Sequence, residues 1–345
     1  MKKHLLTLSL ALVLFLTGCS SYTLPITESL SDTTAPEATE NPFEDTGSNI
    51  IGEIGHGPRD VSWSDDGEVL PFAYEGGEFS LDYYFSASGR ADSIGFLLYL
   101  DGKPQPYETN GMEGLSYCHA FPMEESVEKD ITFRFTPIAG KAGDTLGLTI
   151  LSVYYPNFKP DMVESSSYGF YQGILINQIP ITYYEDAPEE VPLPSTAAPE
   201  VVSVETRDKK ITKDFLENEL PANGVMDVEA IEDWPYYTIT YDDQLLLDHL
   251  DLTGKDTITV RYKLCGPAGK KFNTIFYLDH QPISCDGTLA YEATLTKGGV
   301  WVAELTLDIS KLQDFSTFYV ISVPAGYDRN QSAIKTGSIL FYKEN

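Results

Sequence analysis

Six aromatic side chains stand close together in one stretch, and they are the residues here best suited to chemistry with a partner. Tyr154, Tyr155 and Phe158 close an apolar run, and Tyr168, Phe170 and Tyr171 follow after the polar stretch PDMVESSS. Aromatic faces offer contact area at low side-chain entropy cost. An aromatic-rimmed loop on a rigid scaffold is a common site for sugars, peptides or protein partners. The same rings could instead close the open end of a core. Catalytic spacing is missing. His56, His119, His249 and His280 are scattered, with no HExxH pair to ligate a metal. His119 falls on the apolar face of a strand and reads as a hydrogen-bonded packing residue, and His280 falls in a turn. No Gly-x-Ser-x-Gly elbow and no phosphate-cradling glycine loop occurs. Carboxylates are abundant, but a glycosidase pair is defined by separation, which spacing along a chain does not give. Asp65-Asp66-Gly67-Glu68 and the run Asp251 to Asp256 lack calcium-loop spacing. These observations leave no catalytic residue and no metal ligand set. A structural calcium, compatible with the acidity, is the one cofactor left open.

Four cysteines remain to be placed, and three of them follow no pattern. Cys118, Cys265 and Cys285 are odd in number and irregular in spacing, which is neither a disulfide framework nor a zinc motif. Strand periodicity puts Cys265 and Cys285 at opposite ends of a sheet, roughly 20 Å apart at ~3.3 Å per residue, too far for a bridge. Cys19 is different. Lys2 and Lys3 precede an apolar run from Leu5 to Leu16, broken by Thr7 and Ser9, and the run ends in Leu16-Thr17-Gly18-Cys19. The run is too short for a membrane span and suited to a signal sequence. The segment resembles the lipobox of bacterial lipoproteins. That resemblance implies cleavage after residue 18, lipid on the Cys19 thiol, and the chain held to the extracytoplasmic face of the cell membrane through that lipid.

Whatever binds must be positioned by strands. Residues 19–49 form a lipidated N-terminus and an acidic stalk rich in Ser, Thr, Pro and Glu, unable to bury enough to order itself. A second proline-rich stretch at 186–200 separates two regions, 50–185 and 201–345. The two resemble each other. Phe79, Leu81, Tyr83 and Phe85 alternate with polar residues, as do Ile258, Val260, Tyr262 and Leu264. Ile94, Phe96, Leu98 and Leu100 answer Phe272, Thr274, Phe276 and Leu278. Both runs end in Tyr-Leu-Asp, at 99–101 and 277–279, with a proline three residues on, at Pro104 and Pro282. Leu115 to Phe121 answers Leu289 to Leu295, and Ile131 to Phe135 answers Trp301 to Leu307. Ile150 to Val153 answers Val320 to Val323, and Gly173 to Ile176 answers Gly337 to Leu340. Short strands with Gly and Pro turns predict an all-β chain of two tandem immunoglobulin-like β-sandwich domains after a signal peptide (1–18) and a disordered stalk. The label is architectural, because the Cys…Trp…Cys pattern is missing. The folded part resembles tandem β-sandwich surface lipoproteins of unknown activity. One exception to the strands is a short helix near 211–220, with Ile211, Phe215 and Leu216 on one face and Thr212 as its cap.

Charge narrows the partners. With 23 basic and 52 acidic residues among 345, the net charge is −29, which repels nucleic acid. The expected role is non-enzymatic: a surface lipoprotein binding or scaffolding a protein or glycan. Alternatives are a carbohydrate-active accessory protein or hydrolase, and an accessory lipoprotein of a transporter or secretion system.

Overall fold

The computed structural model describes residues 54–87, 93–124, 127–158, 172–194, 201–220, 227–246, 248–310, 312, 315–328 and 330–343. The signal segment, Cys19, the stalk, and Tyr168, Phe170 and Tyr171 lie outside the described residues.

Period-two sequences form the strands that the alternation predicts. In Phe79–Ala87 the side chains of Phe79, Leu81, Tyr83 and Phe85 are buried, while Ser80 and Asp82 face solvent. In Thr257–Cys265 the buried set is Ile258, Val260, Tyr262 and Leu264. The first sandwich packs two sheets. One runs Ile54–Pro58, Phe79–Ala87, Lys129–Phe135, Tyr107–Thr109, Met112–Ser116. The other runs Phe72–Tyr74, Ile174–Tyr183, Thr145–Tyr154, Ser93–Leu100, Lys103–Gln105, and Cys118–Pro122 also pairs with Ser93–Leu100. The second sandwich keeps this plan except at one edge of its first sheet, where Val201–Lys210 lies beside Gly299–Asp308 in the place that Tyr107–Thr109 takes beside Lys129–Phe135. Its first sheet runs Val201–Lys210, Gly299–Asp308, Thr257–Cys265, Tyr236–Tyr241. Its other sheet runs His249–Asp251, Ile339–Tyr342, Phe315–Pro324, Lys271–Leu278, Gln281–Pro282, with Tyr291–Thr294 and Ile334–Lys335 alongside. Each sandwich also contains one parallel pairing in the same place, Phe72–Tyr74 beside Ile181–Tyr183 and His249–Asp251 beside Leu340–Tyr342.

The Tyr-Leu-Asp hairpins match residue for residue. Tyr99 pairs with Pro104 and Leu100 with Lys103; Tyr277 pairs with Pro282 and Leu278 with Gln281. Both two-residue turns are left-handed at both positions, Asp101 (φ 51°) and Gly102 (φ 76°), Asp279 (φ 47°) and His280 (φ 64°). That backbone twist matches the flanking strands, which is why such turns close short hairpins.

Two of the sequence equivalences need correction. In the first sandwich the last strand is continuous, with Ser152 opposite Leu175, Leu151 opposite Ile176 and Leu148 opposite Ile179. In the second it is broken. Ser322 lies opposite Ile334, Ile321 opposite Lys335 and Phe318 opposite Ile339. Ile339 therefore corresponds to Ile179, and Lys335 to Ile176; the shared glycine before each run misaligned them. Likewise the run Leu115 to Phe121 is two strands. Met112–Ser116 belongs to one sheet and Cys118–Pro122 to the other, with the chain crossing at the buried Tyr117. The helix near 211–220 is one wide turn, Phe215–Glu219, with the Phe215 amide donating to Thr212 Oγ1 at 3.1 Å. It sets Phe215, Leu216 and Leu220 with Ile211 over Cys265, Val300 and Val302.

Candidate functional site

Strict alternation breaks down in four strands. All eight residues of Ser93–Leu100 are buried, as are Gly147–Tyr154, Phe272–Leu278 and Ser316–Pro324. A sheet packed on one side wets every second residue, so these strands are covered on both faces. One face is each sandwich's own core: Ile94, Phe96, Leu98 and Leu100 in the first, Phe272, Phe276 and Leu278 in the second. The other face forms a third core, in which Leu97, Tyr99, Leu151 and Val153 pack with Ile275, Tyr277, Tyr319, Ile321 and Val323. The two sandwiches are thus joined along a buried seam, and residues 49–345 make one compact unit. The signal was in the sequence. Gly-Phe-Leu-Leu-Tyr-Leu and Thr-Phe-Tyr-Val-Ile-Ser-Val are near-continuous apolar runs, whose second face the period-two reading left unused.

Equivalent residues face each other in the seam. Tyr277 Oη donates to Tyr99 Oη at 2.8 Å, and both tyrosines hold the same place in their hairpins. Unequal pairs occur twice with roles exchanged. The first hairpin's Asp101 accepts the Gly326 amide at 2.6 Å on its carboxylate and the Asn273 side-chain amide at 3.1 Å on its carbonyl. The second hairpin's His280 bonds through Nε2 to the Pro156 carbonyl at 2.7 Å. Pro156 occupies the first sandwich's place for Gly326, three residues after Val153 and Val323. Such reciprocity marks an isologous contact about a local two-fold axis.

The two ends of this seam are filled differently. At the Gly102 end the backbones nearly touch. A Cβ on Gly102 would lie 3.0 Å from the Pro324 carbonyl oxygen and 3.1 Å from that of Val323. At the other end the gap is spanned by the His280 ring. Its Nδ1 pairs with Tyr319 Oη at 3.0 Å, so the neutral ring accepts there and donates to Pro156 through Nε2. Burial pushes the imidazole down to about 4. Tyr319 stacks on Tyr277, centroids 5.1 Å apart, and carries the Lys335 amine 4.5 Å over its ring. Lys335 Nζ also donates to the Thr336 carbonyl at 3.1 Å and Ser338 Oγ at 2.9 Å, and burial pushes the amine down to about 7.

The aromatic candidates begin at this seam. Tyr154 is buried at the end of its strand, and Tyr155 (φ 55°) and Phe158 are half-buried with ring centroids 5.1 Å apart. Pro156 between them is the residue that His280 grips. The other histidines are dispersed. His56 is buried in the first core, its Nδ1 2.6 Å from Tyr83 Oη and its Nε2 3.2 Å from the Leu175 carbonyl, and burial pushes it down to about 4. His119 pairs through Nε2 with the Tyr107 carbonyl at 3.0 Å. His249 is exposed. Cys118, Cys265 and Cys285 are free thiols, and burial pushes Cys118 and Cys265 up to about 12, which makes them poor nucleophiles. Among the described residues no three His, Cys, Asp or Glu side chains converge as a metal site.

Comparison with known proteins gives no family. No family model matches the sequence, and no curated protein matches it. Solved structures similar to this chain include the N-terminal Ig1-2 module of the Drosophila receptor protein tyrosine phosphatase DLAR (11% identity, 85% of this chain and 99% of that one, TM-score 0.22). Others are the fibronectin(III)-like modules of Clostridium thermocellum CbhA (10%, 85% and 94%, TM-score 0.19). The Salmonella enterica SafA pilin in complex with the SafB chaperone is also similar (8%, 83% and 96%, TM-score 0.22). At these TM-scores none of the likenesses carries an argument, and no binding property passes from them to this chain. The chain is all-β, built from immunoglobulin-like sandwiches.

Proposed function

We propose that this chain is a lipid-tethered extracytoplasmic protein whose paired sandwiches bind or scaffold a protein or glycan at the cell surface. The observation that carries the reading is the seam. A spacer needs length but no fixed angle between its modules, whereas a binding body gains from one, because surfaces already in place lose less entropy on association. Here ten buried apolar residues and the Tyr99–Tyr277 bond fix that angle. The lipobox-like Leu16-Thr17-Gly18-Cys19 supports the tether, and the net charge of −29 supports a partner other than nucleic acid. Tyr155 and Phe158, with Tyr168, Phe170 and Tyr171, are the contact residues in this reading.

The test has two arms. In cells, Cys19→Ala is expected to abolish incorporation of labelled palmitate and release the chain from the membrane fraction. On the surface, in-cell crosslinking is expected to capture partners that a chain with Tyr168, Phe170 and Tyr171 changed to serine no longer captures. Unchanged partitioning of the Cys19→Ala chain would overturn the tether. Identical captured partners with the three aromatics removed would overturn the contact region.

A further inference from the structure

The seam is symmetric in its apolar contacts and asymmetric in its ionisable ones. Gly102 and His280 hold the same turn position, and Ile176 and Lys335 hold the same strand position. The first sandwich contributes a side chain that cannot take a proton at either place. The second contributes an imidazole and an amine, both packed on Tyr319: the His280 ring centroid lies 5.6 Å from that of Tyr319, and Lys335 Nζ lies over the same ring. At the opposite end, where symmetry would put their counterparts, stand a backbone-to-backbone approach and the Asp101 carboxylate bonded to Gly326.

We propose that the His280 end of the seam is an acid-sensitive latch, which holds the two sandwiches together while its imidazole is neutral and lets them part when a proton is added. The inference goes beyond the binding role proposed above and does not depend on it. Its physical basis is the pairing of His280. One ring nitrogen accepts from Tyr319 and the other donates to Pro156, and this is a neutral imidazole's full hydrogen-bonding capacity. An added proton turns the accepting nitrogen into a donor facing a hydroxyl hydrogen. It also sets a cation beside the Lys335 ammonium, with Tyr319 between them. The other ionisable groups of the seam supply no countercharge. Tyr319 and Tyr277 come from the second sandwich, Tyr99 and Cys118 from the first, and burial raises Tyr99, Tyr277 and Cys118 so that they stay neutral through the acid range. Among the described residues no carboxylate bonds to His280 or Lys335.

The direction follows from linkage. A base whose value is lower in the closed form than in the open form penalises closure as pH falls. For Lys335, about 7 when closed against an ordinary 10.5, that penalty is already in full force below pH 7. For His280, about 4 against 6.5, it is absent above pH 6.5, grows as pH falls, and is complete below about 4. Lys335 therefore loads the seam at neutral pH, and His280 is the group that titrates on acidification. A chain outside the cytoplasm meets whatever pH the surroundings impose.

The test is small-angle scattering of the whole exported chain, released by Cys19→Ala, from pH 7 to pH 4, with far-ultraviolet circular dichroism alongside. The radius of gyration is expected to rise reversibly between pH 6.5 and 4 while the β signal is kept. The double variant His280→Gly with Lys335→Ile installs the residues of the other copy and is expected to stay closed across the range. His280→Asn is the second variant. Asn tolerates the left-handed turn and can donate to Pro156 without titrating, so it too is expected to stay closed. A wild-type radius unchanged at pH 4 would overturn the latch. So would opening of His280→Asn at the wild-type pH, or loss of the β signal in step with opening.

Discussion

The two sandwiches share a strand plan and spend it differently at their Tyr-Leu-Asp turns. In the first, the turn ends in Gly102, and the opposing backbone comes within contact of the missing side chain. In the second, the turn ends in His280, and a ring fills the space that the glycine end does not have. Equal topology thus fixes where the turn is and which way it faces, while the local gap decides what stands there. The cores differ in the same spirit. The first buries His56 and His119, bonded to Tyr83 and to the Tyr107 carbonyl, whereas the second buries Tyr262 and Thr274 around Ser322 and keeps histidine out of its core. One copy therefore carries imidazoles inside its own sandwich, and the other buries one only at the seam.

The comparison breaks most completely if the seam is removed and the copies are left to stand alone. Ile321→Asp puts an unpaired carboxylate among Leu97, Tyr99, Leu151 and Tyr277, a change costing about 3–5 kcal/mol. Both inner cores are untouched, because Ile321 faces away from them. The expected outcome is two folded sandwiches no longer docked, read as a larger radius of gyration with an unchanged β signal. Collapse of the β signal as well would mean that neither copy is stable without the other.

Acid sharpens the difference between the cores. His56 is held near 4 by burial, against 6.5 when unfolded, so the neutral form is the folded one. Its contribution to stability is unaffected above pH 6.5 and is lost as pH falls towards 4, by about 3 kcal/mol when complete. Burial also lowers His119, so it acts in the same direction. The first sandwich is expected to lose urea resistance between pH 6.5 and 4 through these groups, and His56→Asn to flatten the fall. The second sandwich has no buried imidazole in its core to do the same. Equal pH dependence in site-resolved unfolding of both copies would contradict this account.

A third experiment exchanges the turn residues. Gly102→Ala places a Cβ on a backbone of φ 76°, 2.8 Å from Asn273 Nδ2 and 3.0 Å from the Pro324 oxygen. Strain and overlap together cost about 2–3 kcal/mol. His280→Gly loses two hydrogen bonds but relieves a left-handed histidine, for a net cost of about 1 kcal/mol at neutral pH. Denaturant midpoints should therefore fall more for the smaller chemical change. The opposite order would mean that the backbones at the Gly102 end can separate at little cost.

How much of this was legible before folding depends on which force wrote it. The inward faces of Phe79–Ala87 and Thr257–Cys265 are readable because one wet face and one dry face force alternation, and the Tyr-Leu-Asp hairpins because a two-residue turn and a following proline are local demands. The cap at Thr212 is local too, and it stands where its spacing put it. The seam was harder. Leu97, Tyr99 and Ile321 are apolar in every strand model, and only contact with a distant part of the chain distinguishes a doubly covered strand from a strongly apolar single-faced one. The split of the final strand into Ile334–Lys335 and Ile339–Tyr342 was hidden for a related reason. A glycine precedes the apolar run in both copies, but cross-strand partners, which a sequence does not show, set the register. Lys335 and His280 become notable only once their counterparts, Ile176 and Gly102, are identified through that register.

The smallest effect belongs to the one bond that joins the copies at equivalent residues. Tyr99 and Tyr277 each bury a hydroxyl, and each is the other's partner at 2.8 Å. Tyr277→Phe leaves the Tyr99 oxygen without its donor, and Tyr99→Phe leaves the Tyr277 hydrogen without its acceptor, so each single change should cost about 1 kcal/mol. Removing both hydroxyls leaves no orphan. The double variant should therefore cost less than the sum of the singles and lie close to either one alone, because the rings and their stacking with Tyr319 stay in place. A double-mutant cycle on the urea midpoint checks this. A coupling near zero would show that each hydroxyl has a substitute partner, and the seam would then rest on its apolar contacts and its two unequal ends, with no polar tie at its centre.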